Sequence, residues 1–468
     1  MFAACTLFLA ACGKQTVKIM TPPDASNRVQ FSAEQLQTTL DKAGYQVMMQ
    51  QGDTTFSDPE IKTILLTEVN DTTLKKEGFH ITTTGNLTKV SGRDGSGVIY
   101  GCRELIDCVN DSDGKLNFPE DLKDAPEMVL RGACVGLQKM TYLPGHGVYE
   151  YPYTPESFPW FYDKEQWIKY LDMLVANRMN SLYLWNGHPF ASLVKLEDYP
   201  FALEVDEETF KKNEEMFSFL TEEADKRGIF VIQMFYNIIL SKPFAEHYGL
   251  KTQDRNRPIT PLIADYTRKS IAAFIEKYPN VGLLVCLGEA MCTVEDDVEW
   301  FTETIIPGVK DGLQALGRTD EPPLLLRAHD TDCKLVMDAA LPIYKNLYTM
   351  HKYNGESLTT YEPRGPWSKI HTDLSSLGSI HISNVHILAN LEPFRWGSPD
   401  FVQKAVTAMH NVHGANALHL YPQASYWDWP YTADKLPNNE REFQLDRDWI
   451  WYQTWGRYAW NCHRDRTD

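Results

Sequence analysis

Two patterns of apolar and polar positions divide the chain near residue 125. Before that point the apolar runs are short and mixed. "TVKIM", from Thr16, and "KTILLTEV", from Lys62, read as strands. "FSAEQLQTTLDKAGY", from Phe31, reads as a helix with Ser32 as its N-cap and Gln35 three residues on. "GFHITTTG" and "LTKVSG" are two alternating segments about Gly85-Asn86, a hairpin signature. "GSGVIYGCRELIDCV", from Gly95, reads as a second helix. Residues 16–125 are therefore expected to form a small α/β domain.

From Val129 onward, continuously apolar runs alternate with longer amphipathic stretches. The runs are "MVLRGACVGL", "MNSLYLWN", "GIFVIQMFYN", "VGLLVCLGEA", "PLLLRAHD", "NLYTMHKYN", "HISNVHILANLE" and "NALHLYPQ". Unbroken apolar runs suit parallel strands buried on both faces. The helix before the second run is well specified. Asp163 caps it, Gln166 lies at N3, and Trp167, Leu171, Leu174 and Val175 share one face. Eight such strands predict a (β/α)8 barrel over residues 126–468, preceded by the small α/β N-terminal domain. A doubly wound sheet is the alternative, but it usually needs fewer strands.

A barrel of this kind carries its chemistry at the C-terminal ends of its strands. The fourth strand ends in Leu-Gly-Glu, so Glu289 points into the mouth. A carboxylate there is costly unless paired or used. Other strand ends supply Trp185, Asn186 and His188; Asn237; Arg327, His329 and Asp330; Lys352 and Glu356; Glu392 and Trp396; and Trp427. Acids, bases, amides and aromatics thus meet at one rim. Two carboxylates in an aromatic pocket are what glycoside hydrolysis requires, one giving a proton to the leaving oxygen and one activating water or attacking the sugar. Duller roles compete: a His329–Asp330 structural pair, helix capping by Asp330 or Asp332, wall packing by Trp427 and Trp429, and charge balance by Arg327 and Lys352.

Charge and composition narrow the class. The net charge of -18 argues against a nucleic-acid partner, which needs a basic face. The 12 Trp and 23 Tyr suit sugar stacking, although most are ordinary core residues. Gly95, Gly97 and Gly101 do not form GxGxxG, and no phosphate loop, Ser-His-Asp signature or HExxH occurs. The nine cysteines form no CxxC pair, so neither a metal site nor a disulfide framework is expected, and no cofactor. The N-terminal "MFAACTLFLAACGKQ" has an apolar run too short to span a bilayer. Its Leu9-Ala10-Ala11-Cys12 resembles a bacterial lipoprotein cleavage box. Residues 1–15 are thus read as a signal, with Cys12 the lipidated residue anchoring a periplasmic or cell-surface protein.

Several segments resemble the α-glucuronidases of glycoside hydrolase family 67 and related barrels. "GFHITTTGNLTKVSGRDGSGVIYGCRELID" is similar to the segment closing the small N-terminal domain of those enzymes and of β-hexosaminidases. "VCLGEA" resembles the strand bearing the family's general acid, which falls on Glu289. "ILANLEPFRWGSPDF" is similar to a segment with a second carboxylate, which falls on Glu392. "HKYNGESLTTYEPRGPW" is similar to the sixth-strand loop, although Ser357 stands nearest the family's Asp, with Glu356 beside it. The resemblance implies an exo-acting, inverting glycoside hydrolase with Glu289 as acid, Glu392 as base and Glu356 assisting. A carbohydrate is the implied partner. A non-catalytic glycan-binding surface lipoprotein with the same barrel is the alternative.

Overall fold

The computed structural model describes residues 14–52, 60–137, 152–236, 239–254, 256–288, 291, 293–356, 358–386, 397–423, 429–435 and 441–465, with backbone alone for Glu356 and 432–435. The chain divides into two compact units, Met1–Ala125 and Pro126–Asp468.

Among its described residues, the first unit is a six-stranded sheet with two helices. In chain order these are β1 (Thr16–Thr21), α1 (Asn27–Lys42), β2 (Gln46–Gln51), β3 (Lys62–Glu68), β4 (Phe79–Thr84), β5 (Leu87–Gly92), α2 (Gly95–Asp111) and β6 (Asp121–Asp124). The sheet order is β2-β1-β3-β5-β4-β6. The hairpin expected at Gly85-Asn86 is present, with Thr84 opposite Leu87 and Gly85 at a positive φ of 58°. One expectation fails. α1 begins earlier than expected, capped by Ser26, whose hydroxyl accepts from the Val29 N–H. Ser32 lies inside the helix and bonds back to the Arg28 carbonyl at 2.7 Å. The glycines of α2 serve packing. A Cβ on Gly97 would lie 2.3 Å from the Gly78 oxygen, and one on Gly101 2.4 Å from Val90 Cγ1. Bare backbone lets this helix rest directly on the sheet.

In the second unit, β7 (Leu130–Gly136), β8 (Ser181–Trp185), β9 (Phe230–Tyr236), β10 (Val281–Cys286), β11 (Leu324–Arg327), β12 (Leu347–Glu356), β13 (Ile380–Val385) and β14 (Ala417–Leu420) close into a parallel barrel. All eight expected strands are there. The intervening helices are α3 (Lys164–Ala176), α4 (Phe190–Leu193), α5 (Glu207–Lys226), α6 (Lys242–Tyr248), α7 (Pro261–Lys277), α8 (Val294–Glu299), α9 (Ile306–Ala315), α10 (Cys333–Ala340), α11 (Pro366–Ser375) and α12 (Pro399–Thr407), and a last helix spans Trp449–Trp460. Asp163 caps α3 by accepting from the Gln166 N–H, and Trp167, Leu171, Leu174 and Val175 are buried as expected. None of the described helices is long and apolar enough to cross a membrane.

Strand residues alternate between the barrel interior and the helix layer. Tyr183, Ile232, Leu284, Leu325, Tyr348, Ile382 and Ala417 belong to one interior cluster. Two residues further along each strand is the next interior layer, and that step fixes which side chains reach the mouth.

The N-terminal end of the barrel is closed by backbone and side-chain bonds. Glu127 N–H donates to the Trp460 carbonyl at 2.9 Å. Arg131, fully buried, donates from Nε to the Arg178 carbonyl at 2.8 Å and from one terminal nitrogen to the Met128 carbonyl at 2.6 Å. Its guanidinium lies 5.3 Å from the Trp460 ring centroid.

Candidate active site at the barrel mouth

Alternation carries Trp185, Tyr236, Cys286, Arg327, Lys352, His386 and Tyr421 toward the C-terminal end. Arg327 is the charged centre of this floor and is only 6% exposed. Its guanidinium lies 5.3 Å from the Trp185 ring centroid, and one terminal nitrogen approaches Cys286 Sγ at 3.9 Å. A desolvated guanidinium over an indole gains cation–π energy and keeps its planar fork oriented, an arrangement suited to a carboxylate. The Trp185 ring meets Tyr421 edge-on at 5.8 Å, and His386 lies 4.5 Å from Tyr421. The sequence reading missed Tyr421 and His386. Extending the period-two pattern from Ala417 and Ile382 would have found them.

The other expected residues take varied positions. Asn186 donates to the Leu137 carbonyl at 2.9 Å and accepts from the His188 N–H, which ties the loop after β8 to β7. His188 is buried against Tyr266 of α7, with Nε2 3.1 Å from its hydroxyl, and burial pushes its pKa down to about 4. It is therefore neutral near pH 7. His329 Nε2 lies 3.6 Å from Asp330 Oδ2 on the rim, and Asp332 caps α10 through the Leu335 N–H. Lys352 is half-buried on the strand face shared by Tyr348 and Met350. Trp429 packs on Tyr170 of α3 at 5.1 Å as a wall residue. Glu289, Glu392, Asn237, Trp396, Trp427 and Cys12 lie outside the described residues, as does the side chain of Glu356.

The approach to Glu289 is nevertheless defined. Gly288 N–H donates to the Thr331 hydroxyl at 3.0 Å, and that hydroxyl donates to the His329 carbonyl at 3.0 Å. A Cβ on Gly288 would lie 1.9 Å from the Asp330 oxygen. The loops after β10 and β11 are therefore in direct backbone contact one residue before Glu289.

A further carboxyl lies nearby. Asp297, 3% exposed in α8, has one oxygen without a partner among the described residues. Burial, and then Asp296 and Asp332, push its pKa up to about 7. A carboxyl titrating there can hold or release a proton near neutrality. In the sequence it was hidden in the run Glu295-Asp296-Asp297, which reads as a solvated helix start.

The wall behind β12 holds a chain of neutral imidazoles. Thr349 Oγ1 lies 3.0 Å from His381 Nδ1, His381 Nε2 lies 2.8 Å from His371 Nδ1, and His371 Nε2 lies 3.2 Å from the Tyr353 carbonyl. One consistent set of protons satisfies all three, with each ring giving one hydrogen bond and accepting one. Burial pushes His371 down to about 3 and His381 well below the usual imidazole range.

The closed parallel barrel thus carries a cationic and aromatic floor at the C-terminal ends of its strands, the end at which enzymes of this fold keep their active sites. Residues 12–121 match the family model for glycosyl hydrolase family 20, domain 2. The chain is 74% identical to a solved structure described as a GH138 enzyme targeting pectin rhamnogalacturonan II, with a TM-score of 0.91. That match covers 97% of this chain and 64% of the other, so the chain spans under two thirds of that enzyme's length. At 12% identity and a TM-score of 0.58 it is similar in fold to the Flavobacterium johnsoniae chitobiase, over 96% of this chain and 66% of that one. At 11% identity and a TM-score of 0.56 it is similar in fold to a Streptomyces plicatus N-acetyl-β-hexosaminidase, over 95% and 87%. No curated protein matches the chain.

Proposed function

We propose that the chain contains the hydrolytic barrel of a glycoside hydrolase that removes a uronic-acid residue from the end of a pectic polysaccharide. The observation that carries this reading is the 74% identity, across nearly the whole chain, to an enzyme described as targeting rhamnogalacturonan II. The floor supports the acidic sugar: Arg327 is buried beside Trp185, and Lys352 lies two positions beyond Met350, the register partner of Arg327. An α-glucuronidase-like specificity fits that floor, as would another uronide.

In this reading Glu289 is the general acid. It gives its proton to the glycosidic oxygen as the bond to the anomeric carbon breaks. Glu392, with Glu356 assisting, takes a proton from water attacking the opposite face. Inversion requires the acid and base carboxyls to lie roughly 6.5–9.5 Å apart, against roughly 5–5.5 Å for retention. Trp185, Trp396 and Trp427 wall the ring, and Arg327 with Lys352 holds its carboxylate. Export through the N-terminal segment, with Cys12 lipidated, would place the enzyme where polysaccharide is met.

The test incubates the protein and its Glu289→Gln variant with rhamnogalacturonan II and uronic-ended oligosaccharides, following products by NMR. The reading expects a uronic acid released by the parent protein only, first as the inverted anomer. Retained glycan binding with no release by the parent protein would overturn hydrolysis and leave a binding module. Mass spectrometry of the mature N-terminus in bacterial membranes checks the lipid on Cys12.

A further inference from the structure

At the N-terminal end of the barrel, away from the strand ends used above, three chemically different donors meet. One ligand atom from each of Glu127, Cys462 and His463 lies within 4.8 Å of the others. Glu127 precedes the first barrel strand, and Cys462 and His463 follow the last helix. We propose that these three residues form a zinc site that clasps the beginning of the barrel unit to its end.

The donor set is the first argument. A thiolate, an imidazole and a carboxylate are the ligands that a borderline-soft divalent ion such as zinc accepts, with water as the fourth. Tetrahedral zinc needs its ligand atoms roughly 3.3–3.8 Å apart, so side-chain rotation of about 1 Å completes the site.

Preorganisation is the second argument. Cys462 N–H donates to Glu127 Oε2 at 2.7 Å, which aims the carboxylate at the turn. Gln403 donates to the Cys462 and Arg464 carbonyls at 3.1 and 3.0 Å, and His463 N–H donates to Asn461 Oδ1 at 2.9 Å. Asn411 Nδ2 lies 3.9 Å from the Cys462 sulfur, in position to donate to its thiolate, and 3.5 Å from His463 Nε2.

Burial is graded across the site. Cys462 is buried, Glu127 is half-buried and His463 is exposed, so a metal enters from the His463 side and keeps a water there. Binding costs one thiol proton, released to solvent as the Zn–S bond forms. The competing arrangement is a metal-free thiol hydrogen-bonded to the Glu127 carboxylate.

The test uses the full chain, stripped with a chelator and titrated with zinc alone. One zinc per chain after gel filtration, a rise in Tm with zinc, and a thiolate-to-metal charge-transfer band with cobalt are expected. His463→Ala, at an exposed position that leaves folding readable, and Cys462→Ala should each weaken zinc binding at least ~10-fold and remove the Tm response. Asn411→Ala should weaken it by ~10–100-fold. Failure of the parent chain to hold zinc, or equal retention by both ligand variants, would overturn the site and leave the thiol–carboxylate bond.

Discussion

Arg131 and Arg327 lie at opposite ends of one barrel, each 5.3 Å from the centroid of a tryptophan ring. Both are buried. Their surroundings differ. Arg131 meets the carbonyls of Met128 and Arg178 and so knits the first strand to the turn before the second. Arg327 meets the Trp185 face and the Cys286 sulfur at the floor of the mouth. The same residue pair is thus a fastener where it meets backbone acceptors, and at the mouth it is the proposed seat of the sugar carboxylate. In such barrels chemistry belongs to the C-terminal face and stability to the other.

The largest expected effect separates the two ends. Arg131→Leu leaves the Met128 and Arg178 carbonyls without their charged donor and should lower unfolding stability by about 3–5 kcal/mol. Chemical denaturation measures it, with Arg327→Leu as the comparison, whose loss in the same assay should be smaller. Equal losses would break the comparison.

Activity should sharpen it from the other side. Arg327→Leu removes the cation proposed to face the uronic carboxylate and should lower kcat/KM on a uronic-ended oligosaccharide roughly 30- to 150-fold. Arg327→Lys should fall between the two, because an ammonium lacks the planar fork. If a neutral analogue of the same glycan loses as much, the residue does not read the carboxylate.

Acid tests the wall between the ends. Both arginines keep their charge, whereas His371 and His381 are held neutral, with His351 and His413 close by. The folded pKa of His371, about 3, lies below its unfolded value, so the unfolded chain takes up the proton first as pH falls. Stability from this group is complete above about pH 6.5 and declines toward pH 3, with about 2 kcal/mol lost by pH 5. Denaturation at pH 7 and pH 5 with a His371→Asn variant checks this, since the variant should show a smaller difference. The smallest effect is Asp163→Ala, which removes the cap of α3 and should cost about 1 kcal/mol in the same assay without altering kcat.

The eight barrel strands were legible because parallel strands buried on both faces leave unbroken apolar runs. β2 and β6 were not. β2 is "QVMMQQ" at a sheet edge with Met48 and Met49 exposed, and β6 is the four-residue "DLKD". Edge strands need no apolar pattern, since neighbours rather than burial hold them. Ser32 reads as a cap in the sequence because a hydroxyl residue with Gln three positions on fits the capping box. The true cap, Ser26, lies before an equally polar first turn. At the site, Arg327 and Trp185 could be read from strand ends. Tyr421 and His386 required counting parity out from the core. The Glu127–Cys462 pairing spans 335 positions and leaves no local spacing to read.

Gly288 sets a rule for how such a mouth can diversify. Its backbone touches that of Asp330, and only a hydrogen atom fits on the side where a side chain would stand. The loop after the fourth strand therefore cannot be re-sited independently of the loop after the fifth. Lengthening either one by insertion would displace the other. Lineages exploring new substrates on this scaffold would have to alter the two loops as a pair, or vary the remaining six.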